Sequence, residues 1–330
     1  MLMWDDDLRV AGTPLYMDSR RSRDLCFVSH AHTDHLGRHR RAISTLATAR
    51  LADRRIGFDD TLTLDYHSPL RLHEHLEIEL FPAGHVLGSA MARVTTNQGT
   101  LLYTGDFKLR DSLTVERAIP PEADHLVMES TFGKPMFRFP PWQETADRLL
   151  TLVQAALRDG RQPIVLGYAL GKAQEIVRIL TRAGMIVTEH PAVAAMTSIY
   201  RDFNVEMGQT RPYREEDFVG PTRLDLVERG VLVAPPQFAR SAAASKLDRP
   251  MMIMMSGWAL LPSARYRYRA EHVLPLSDHA DFQELLELIE RVRPKHVWTH
   301  HGYAEFVDHL RRRGIRASPA RPDAQLSLFD

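Results

Sequence analysis

Short apolar runs along this chain end again and again in polar, chemically active residues. Leu25 to Val28 predicts a buried strand, and Ser29-His30-Ala31-His32-Thr33-Asp34-His35 follows it at once. Ile78 to Phe81 predicts another strand, running into Pro82-Ala83-Gly84-His85-Val86-Leu87-Gly88-Ser89. Met91 to Thr95 is the next, with Asn97-Gln98-Gly99 as a hairpin turn before Leu101 to Tyr103. That last strand ends in Thr104-Gly105-Asp106, and Leu126 to Met128 ends in Glu129-Ser130-Thr131. Near the C-terminus, Val273-Leu274-Pro275-Leu276 precedes Ser277-Asp278-His279, and His296 to Thr299 leads into His300-His301-Gly302. Polar residues recurring at strand ends predict a site along one rim of a sheet sandwich, with loops carrying the chemistry.

The middle of the chain changes period. Trp142 to Leu157 carries Ala146, Leu149, Leu150, Val153, Ala156 and Leu157 at helical spacing. Ile164 to Leu166 predicts a strand and Leu170 to Leu180 a helix, and this alternation suggests a small parallel sheet with flanking helices. Pro140-Pro141 breaks any continuing element and suits a domain boundary. The methionine-rich run Pro250 to Met255 predicts a core strand.

Composition adds bounds. A chain of 330 residues allows a large core and two domains. Lys plus Arg and Asp plus Glu are both 42, so no global basic field advertises a polyanionic partner, which would need a local basic groove instead. Cys26 is the single cysteine and lies in a predicted core strand, so it reads as a small buried hydrophobe. No apolar run approaches membrane-spanning length. The N-terminus, Met1-Leu2-Met3-Trp4-Asp5-Asp6-Asp7, is acidic where a secretory signal would be basic, so a cytoplasmic protein without a membrane partner is expected.

The strand ends also carry metal chemistry. His30, His32, Asp34 and His35 place four metal-binding side chains within six positions. His30 and His32 are two apart, so on extended backbone they point the same way. Imidazole nitrogens suit zinc, and a carboxylate suits a bridging or second-site role. His85 lies in a loop that could face the same site. An aspartate after glycine at a strand end can bridge two metals, although Asp106 by itself also reads as a turn cap.

Together these motifs resemble the metallo-β-lactamase superfamily, and specifically its β-CASP nuclease branch. The His30-to-His35 motif alone would cover many hydrolases. The narrower resemblance rests on Leu126 to Gly133 as the acidic first motif and on Leu276 to Phe282 as the histidine motif. It also rests on Thr299-His300-His301-Gly302 as the third motif and on Tyr168 to Glu175 as the helix-opening segment of the inserted domain. Length and Ser256-Gly257-Trp258 are most similar to bacterial ligase-associated DNA exonucleases. The implied fold is α/β, a metallo-β-lactamase αββα sandwich with an inserted β-CASP-like α/β domain. The expected parts are 1–139 plus 259–316 for the sandwich, 140–258 for the insert, and 317–330 as a flexible tail.

The resemblance implies two Zn2+ ions, with Mn2+ as a possible substitute. His30, His32 and His85 would hold one, Asp34, His35 and His301 the other, and Asp106 would bridge. It makes His279 the general acid and Glu129 the group that orients it. Asp18 would position the metal loop, with a strand-end cap as its ordinary alternative, and adjacent side chains diverge on a strand, so His300 reads as structural. Lys172 at a helix start, Ser277 and Ser130 are candidate phosphate contacts. Arg20, Arg21, Arg23, Arg38, Arg40 and Arg41 flank the metal loop and could form the local basic groove.

The tail carries Gln325-Leu326-Ser327-Leu328-Phe329, which resembles the peptide by which bacterial replication and repair proteins dock on the DNA sliding clamp. The expectation is therefore a zinc-dependent DNA exonuclease in repair. It would be tethered to the clamp, nucleoid-associated, and a partner of a DNA ligase or other repair proteins. An RNA-processing nuclease of the same branch is the alternative. A catalytically silent DNA-bound scaffold is opposed by the full ligand set, and a small-molecule metallo-hydrolase by the insert.

Overall fold

The structure is a computed structural model that describes residues 2–221 and 223–321. Two compact units result: one built from 1–138 and 279–330, the other from 139–278.

The first unit is a two-sheet sandwich. Its first sheet takes strands in chain order: Leu2–Asp5, Asp7–Val10, Tyr16–Met17, Cys26–Phe27, Ala42–Ser44 and Thr61–Thr63. The second is ordered Ala317–Pro319, His296–Gly302, His125–Ser130, Gly99–Tyr103, Ala90–Thr96, Leu76–Pro82 and Leu70–His73. Its meander is antiparallel from Leu70 to Tyr103 and parallel beyond.

Side-chain alternation explains the layering. Ile78, Leu80, Leu101, Tyr103 and Val127 face the first sheet and pack with Val10, Leu15, Met17, Phe27 and Ile43. Leu102, Leu126 and Met128 face the other way and pack with Phe282, Leu285, Ile289, Phe306 and Leu310 from two helices. Those helices, Phe282–Val292 and Ala304–Arg312, cover the second sheet. The first of them starts on a capping box. Asp281 accepts from the amides of Gln283 and Glu284 at 2.9 and 3.0 Å, and Glu284 accepts from the Asp281 amide at 2.9 Å.

The second unit holds a six-stranded parallel sheet ordered Arg211–Pro212, Val187–Glu189, Val231–Ala234, Gln162–Leu166, Pro250–Met255 and His272–Leu274. Its central strands are fully buried, as a parallel sheet covered by helices requires.

Two expected boundaries move. The insert was expected to end at Trp258, but His272–Leu274 pairs with Pro250–Met255, so the second unit runs to Asp278. The tail was expected from 317, but Ala317–Pro319 pairs in parallel with His296–Gly302 as an edge strand. Cys26 is buried in a strand, and burial raises its thiol pKa, which leaves it protonated. Residues 322–330, including Gln325, Leu326, Ser327, Leu328 and Phe329, lie outside the described residues.

Candidate metal centre

The loop after Cys26–Phe27 is pinned by Asp18. Its Oδ1 accepts from the Ser29 amide at 2.7 Å. Its Oδ2 accepts from Ser29 Oγ at 2.5 Å and Tyr103 OH at 2.8 Å, and lies 2.7 Å from His35 Nδ1. A carboxylate accepts only, so His35 carries its proton on Nδ1 and turns Nε2 toward the site. Asp18 has φ +44, a left-handed conformation that Asp tolerates. Ser29 Oγ also lies 2.9 Å from His30 Nδ1, so one carboxylate orients two imidazoles.

The remaining groups arrive from strand ends of the second sheet. His85 sits in the turn between Leu76–Pro82 and Ala90–Thr96, where Ser89 Oγ accepts from the amides of His85 and Val86 at 3.1 and 3.2 Å. Asp106 follows Gly99–Tyr103 through Gly105, whose φ is +54. A Cβ on Gly105 would stand 2.3 Å from Ser29 Oγ, so only glycine lets this loop approach the histidine loop.

His301 comes from a bulge. Glu129 lies opposite His300 and Ser130 opposite Gly302, so His301 is the extra residue, with φ +49. The rings of His300 and His301 stand perpendicular, edge to face, with centroids 4.5 Å apart. The half-buried His300 ring stacks on Tyr103 at 5.6 Å, and burial keeps its pKa well below the ordinary histidine value.

These side chains form two adjoining groups. His30, His32, His85 and Asp106 present ligand atoms within 4.8 Å of one another, and so do Asp34, His35 and His301. Asp106 joins them. Its Oδ2 lies 3.5 Å from His30 Nε2, 3.8 Å from His85 Nε2 and 3.3 Å from His35 Nε2. Asp34 Oδ2 is 3.7 Å from His35 Nε2.

Electrostatics matches a cation site. Burial and the nearby His35 and His85 hold the His30 pKa well below normal, which keeps its nitrogen lone pair available. Burial would raise the Asp106 pKa, but His35 and His279 outweigh it and hold the carboxyl well below the usual range. Burial would lower that of His35, but Asp106 and Asp18 outweigh it and raise it well above. His30 Nε2, His35 Nε2 and Asp106 Oδ1 are buried without a hydrogen-bond partner. Left unpaired, these three buried atoms would each cost about 1–3 kcal/mol. Divalent cations taking their lone pairs would remove that cost, so these residues fit metal.

Beside the metal groups, His279 Nδ1 lies 3.0 and 3.2 Å from the two Glu129 oxygens and 3.8 Å from Asp106 Oδ2. Glu129 Oε1 also accepts from the Phe107 amide at 3.0 Å. Arg110 clamps the loop from behind. It donates to the His279 carbonyl at 3.2 Å and pairs with Asp281 and Glu284 at 3.0 Å each.

The other candidates fall elsewhere. Lys172 is buried in the second unit and ion-paired with Asp278, so its charge is already neutralised internally and a phosphate contact is not what its position supports. Ser130 is fully buried, with its hydroxyl toward the His300 carbonyl at 3.4 Å, and Ser277 is also buried. The expected arginine groove is largely compensated, because Arg21, Arg23, Arg40 and Arg41 pair with Asp6, Asp7, Asp24 and Asp60. Ser29, Tyr103, Arg110 and Asp278 were not among the residues expected from sequence. Ser29 adjoins the histidine motif, but only the fold brings Tyr103 to Asp18.

Comparison with known proteins agrees with this geometry. Residues 264–321 match a family model described as a Zn-dependent metallo-hydrolase RNA specificity domain. A probable DNA ligase of Opitutus terrae is 37% identical over 95% of this chain and 30% of that protein. Endoribonuclease YSH1 of Yarrowia lipolytica is 25% identical over 81% of this chain and 39% of that protein. An RNase J-like protein of Methanocaldococcus jannaschii is 30% identical over 48% of this chain and 43% of that protein. The chain thus spans between about a third and a half of these relatives' lengths. A crystal structure of a protein of unknown function from Enterococcus faecalis shares the fold, with a TM-score of 0.55 and 15% identity over 84% of this chain and 75% of that one. The sandwich with its strand-end histidine and carboxylate cluster defines a metallo-β-lactamase fold. The chain belongs to the β-CASP nuclease branch of that superfamily. No helix among the described residues is long and apolar enough to cross a membrane.

Proposed function

We propose that the protein is a two-zinc phosphodiesterase acting on DNA, an exonuclease in DNA repair. The observation that carries the reading is the His279–Glu129 pair placed beside the carboxylate shared by two ligand groups. His30, His32 and His85 would hold one ion and Asp34, His35 and His301 the other, with Asp106 between them. When bound, such ions supply an acidified water and offset charge on the phosphoryl oxygens. His279, as imidazolium, donates Nδ1–H to Glu129 and passes the Nε2 proton to the leaving sugar oxygen. The Phe107 amide fixes Glu129, and Arg110 fixes the backbone that carries His279.

The DNA reading is supported by similarity to the ligase-named relative along 95% of the chain. Gln325 to Phe329 supports a clamp tether, with the ligase or another repair protein as a further partner. RNA is the second reading, supported by the family model's description and by the endoribonuclease relative. End-labelled DNA and RNA, single- and double-stranded, with and without a 5′ phosphate, separate the two. Faster hydrolysis of DNA, shortened one nucleotide at a time, is expected. Equal or faster cleavage of matched RNA would reject the DNA assignment, and activity confined to carboxylic esters or lactones would reject both. For the tether, a peptide covering 321–330 should bind purified bacterial clamp, and Leu328→Ala with Phe329→Ala should abolish clamp binding by the whole protein.

A further inference from the structure

A cavity of about 520 Å3 adjoins the candidate metal centre within the first unit. That volume is within the range of roughly 300–1,000 Å3 typical of small-molecule sites. Asp34 and His301 line it on the metal side, and Trp4, Arg20, Arg21 and Arg321 line it elsewhere. Three distant stretches of chain therefore meet there: the N-terminal hairpin, the loop after Tyr16–Met17, and the residues beyond the last edge strand.

The lining has a definite chemistry. Trp4 is 36% exposed, a large indole left open to the cavity. The Arg321 guanidinium lies over that ring, 5.6 Å from its centroid. Asp6 and Asp7 also line the cavity, but Arg21 at 2.7 Å and Arg23 at 2.5 Å offset them. Among the described residues, no carboxylate pairs with Arg20 or Arg321. The cavity thus offers one aromatic side chain and two arginines with no carboxylate partner among the described residues, next to the ligand group of Asp34 and His301. An aromatic platform beside cationic groups is the arrangement that holds single-stranded nucleic acid, because every base has a π-face and every linkage a negative charge.

We infer that this cavity is a subsite for one nucleotide of the substrate strand, with its base against the Trp4 indole and a phosphate toward Arg20 and Arg321. The inference rests on the nuclease reading and names how that site would hold its substrate. It also assigns a task to the N-terminal hairpin, which is otherwise only the edge of the first sheet.

Calorimetric titration of the metal-loaded full chain tests it, with dAMP as the complete probe and deoxyribose 5-phosphate as the probe without a base. Trp4→Ala should weaken dAMP binding by about 5- to 150-fold, the range that follows from losing one base–aromatic stack. Trp4→Phe should restore most of that loss, and neither variant should alter deoxyribose 5-phosphate binding. Arg20→Gln with Arg321→Gln should weaken both probes. Wild-type dAMP affinity in Trp4→Ala would overturn the inference. So would failure of Trp4→Phe to rescue with circular dichroism unchanged, or absence of dAMP binding to the wild type at millimolar concentration. Cleavage of oligonucleotides is measured separately. Trp4-dependent dAMP binding in a protein that cleaves neither DNA nor RNA would leave the subsite standing and reject the nuclease reading. Cleavage with no effect of Trp4 on nucleotide binding would do the reverse.

Discussion

Asp18→Asn isolates the hub of the candidate centre with little steric change. Asn adopts the left-handed backbone at this position as readily as Asp, so φ +44 does not confound the experiment. Asp18 Oδ2 receives three donors, from Ser29, Tyr103 and His35, and Oδ1 receives the Ser29 amide. The amide NH2 must replace one oxygen. Facing the three donors, it would oppose His35 Nδ1–H and forfeit the bonds from Ser29 Oγ and Tyr103 OH as well, whereas facing the Ser29 amide it forfeits one. It will therefore face the Ser29 amide, losing one charge-assisted bond and leaving two donors opposed. That loss costs about 2–4 kcal/mol in the metal-free protein. The three surviving bonds go to a neutral carbonyl and are about half as strong. His35 is then less firmly aimed, and metal affinity at its group should fall about 10- to 100-fold. The His30 group should be affected less, since Asp18 reaches it only through Ser29 Oγ. Urea unfolding reads the first quantity, and competition with a chromophoric chelator reads the two metal affinities separately. Wild-type affinity at both groups, or preferential loss of the ion held by His30, His32 and His85, would refute the role given to Asp18.

Three further outcomes are expected. His279→Ala should keep its metal content and lose about two to four orders of magnitude in turnover, whereas His301→Ala should lose metal; elemental analysis with steady-state rates checks both. Lys172→Ala should destabilise the second unit by about 3–5 kcal/mol by breaking its buried ion pair with Asp278, and Lys172→Met with Asp278→Leu should recover most of it on urea unfolding. Burial lowers the His39 pKa to about 4 in the folded protein, below its unfolded value near 6.5. The unfolded chain therefore binds more protons between these values, so the contribution of His39 is present above pH 6.5 and is lost as pH falls toward 4. His39→Gln should flatten the slope of metal-free stability across that window, and an unchanged slope would discount His39 as its source.

Much of the candidate site is legible in the sequence because its chemistry is local. His30, His32, Asp34 and His35 are written in one strand-end loop, and Asp106, Glu129 and His301 each close an apolar run. What could not be read depends on distant partners. Nothing near Tyr103 in the chain points to Asp18, which lies 85 positions away. Lys172 has the local signature of a helix start, but Asp278, 106 positions later, decides what its charge does. The arginines flanking the metal loop form a basic run in sequence, and the carboxylates that offset four of them come from as far as Asp60. The insert's end was misplaced because the apolar run at Val273 and Leu274 leads into the His279 motif and so reads with the sandwich, whereas its pairing with Pro250–Met255, invisible in the sequence, assigns it to the second unit.

The bulge at His301 has a genetic consequence. Gly302 is pressed against the Ser130 backbone, where an added Cβ would stand 2.0 Å from its carbonyl oxygen, so the chain beyond the bulge has no slack. In-frame loss of one codon for either histidine would make the strand regular, with the surviving histidine opposite Glu129 and Gly302 still opposite Ser130. Because facing alternates along a strand, the surviving imidazole would inherit the stacked place over Tyr103 and none would reach Asp34. The two adjacent histidine codons are therefore not redundant copies of each other. An in-frame deletion of either codon removes the same candidate ligand.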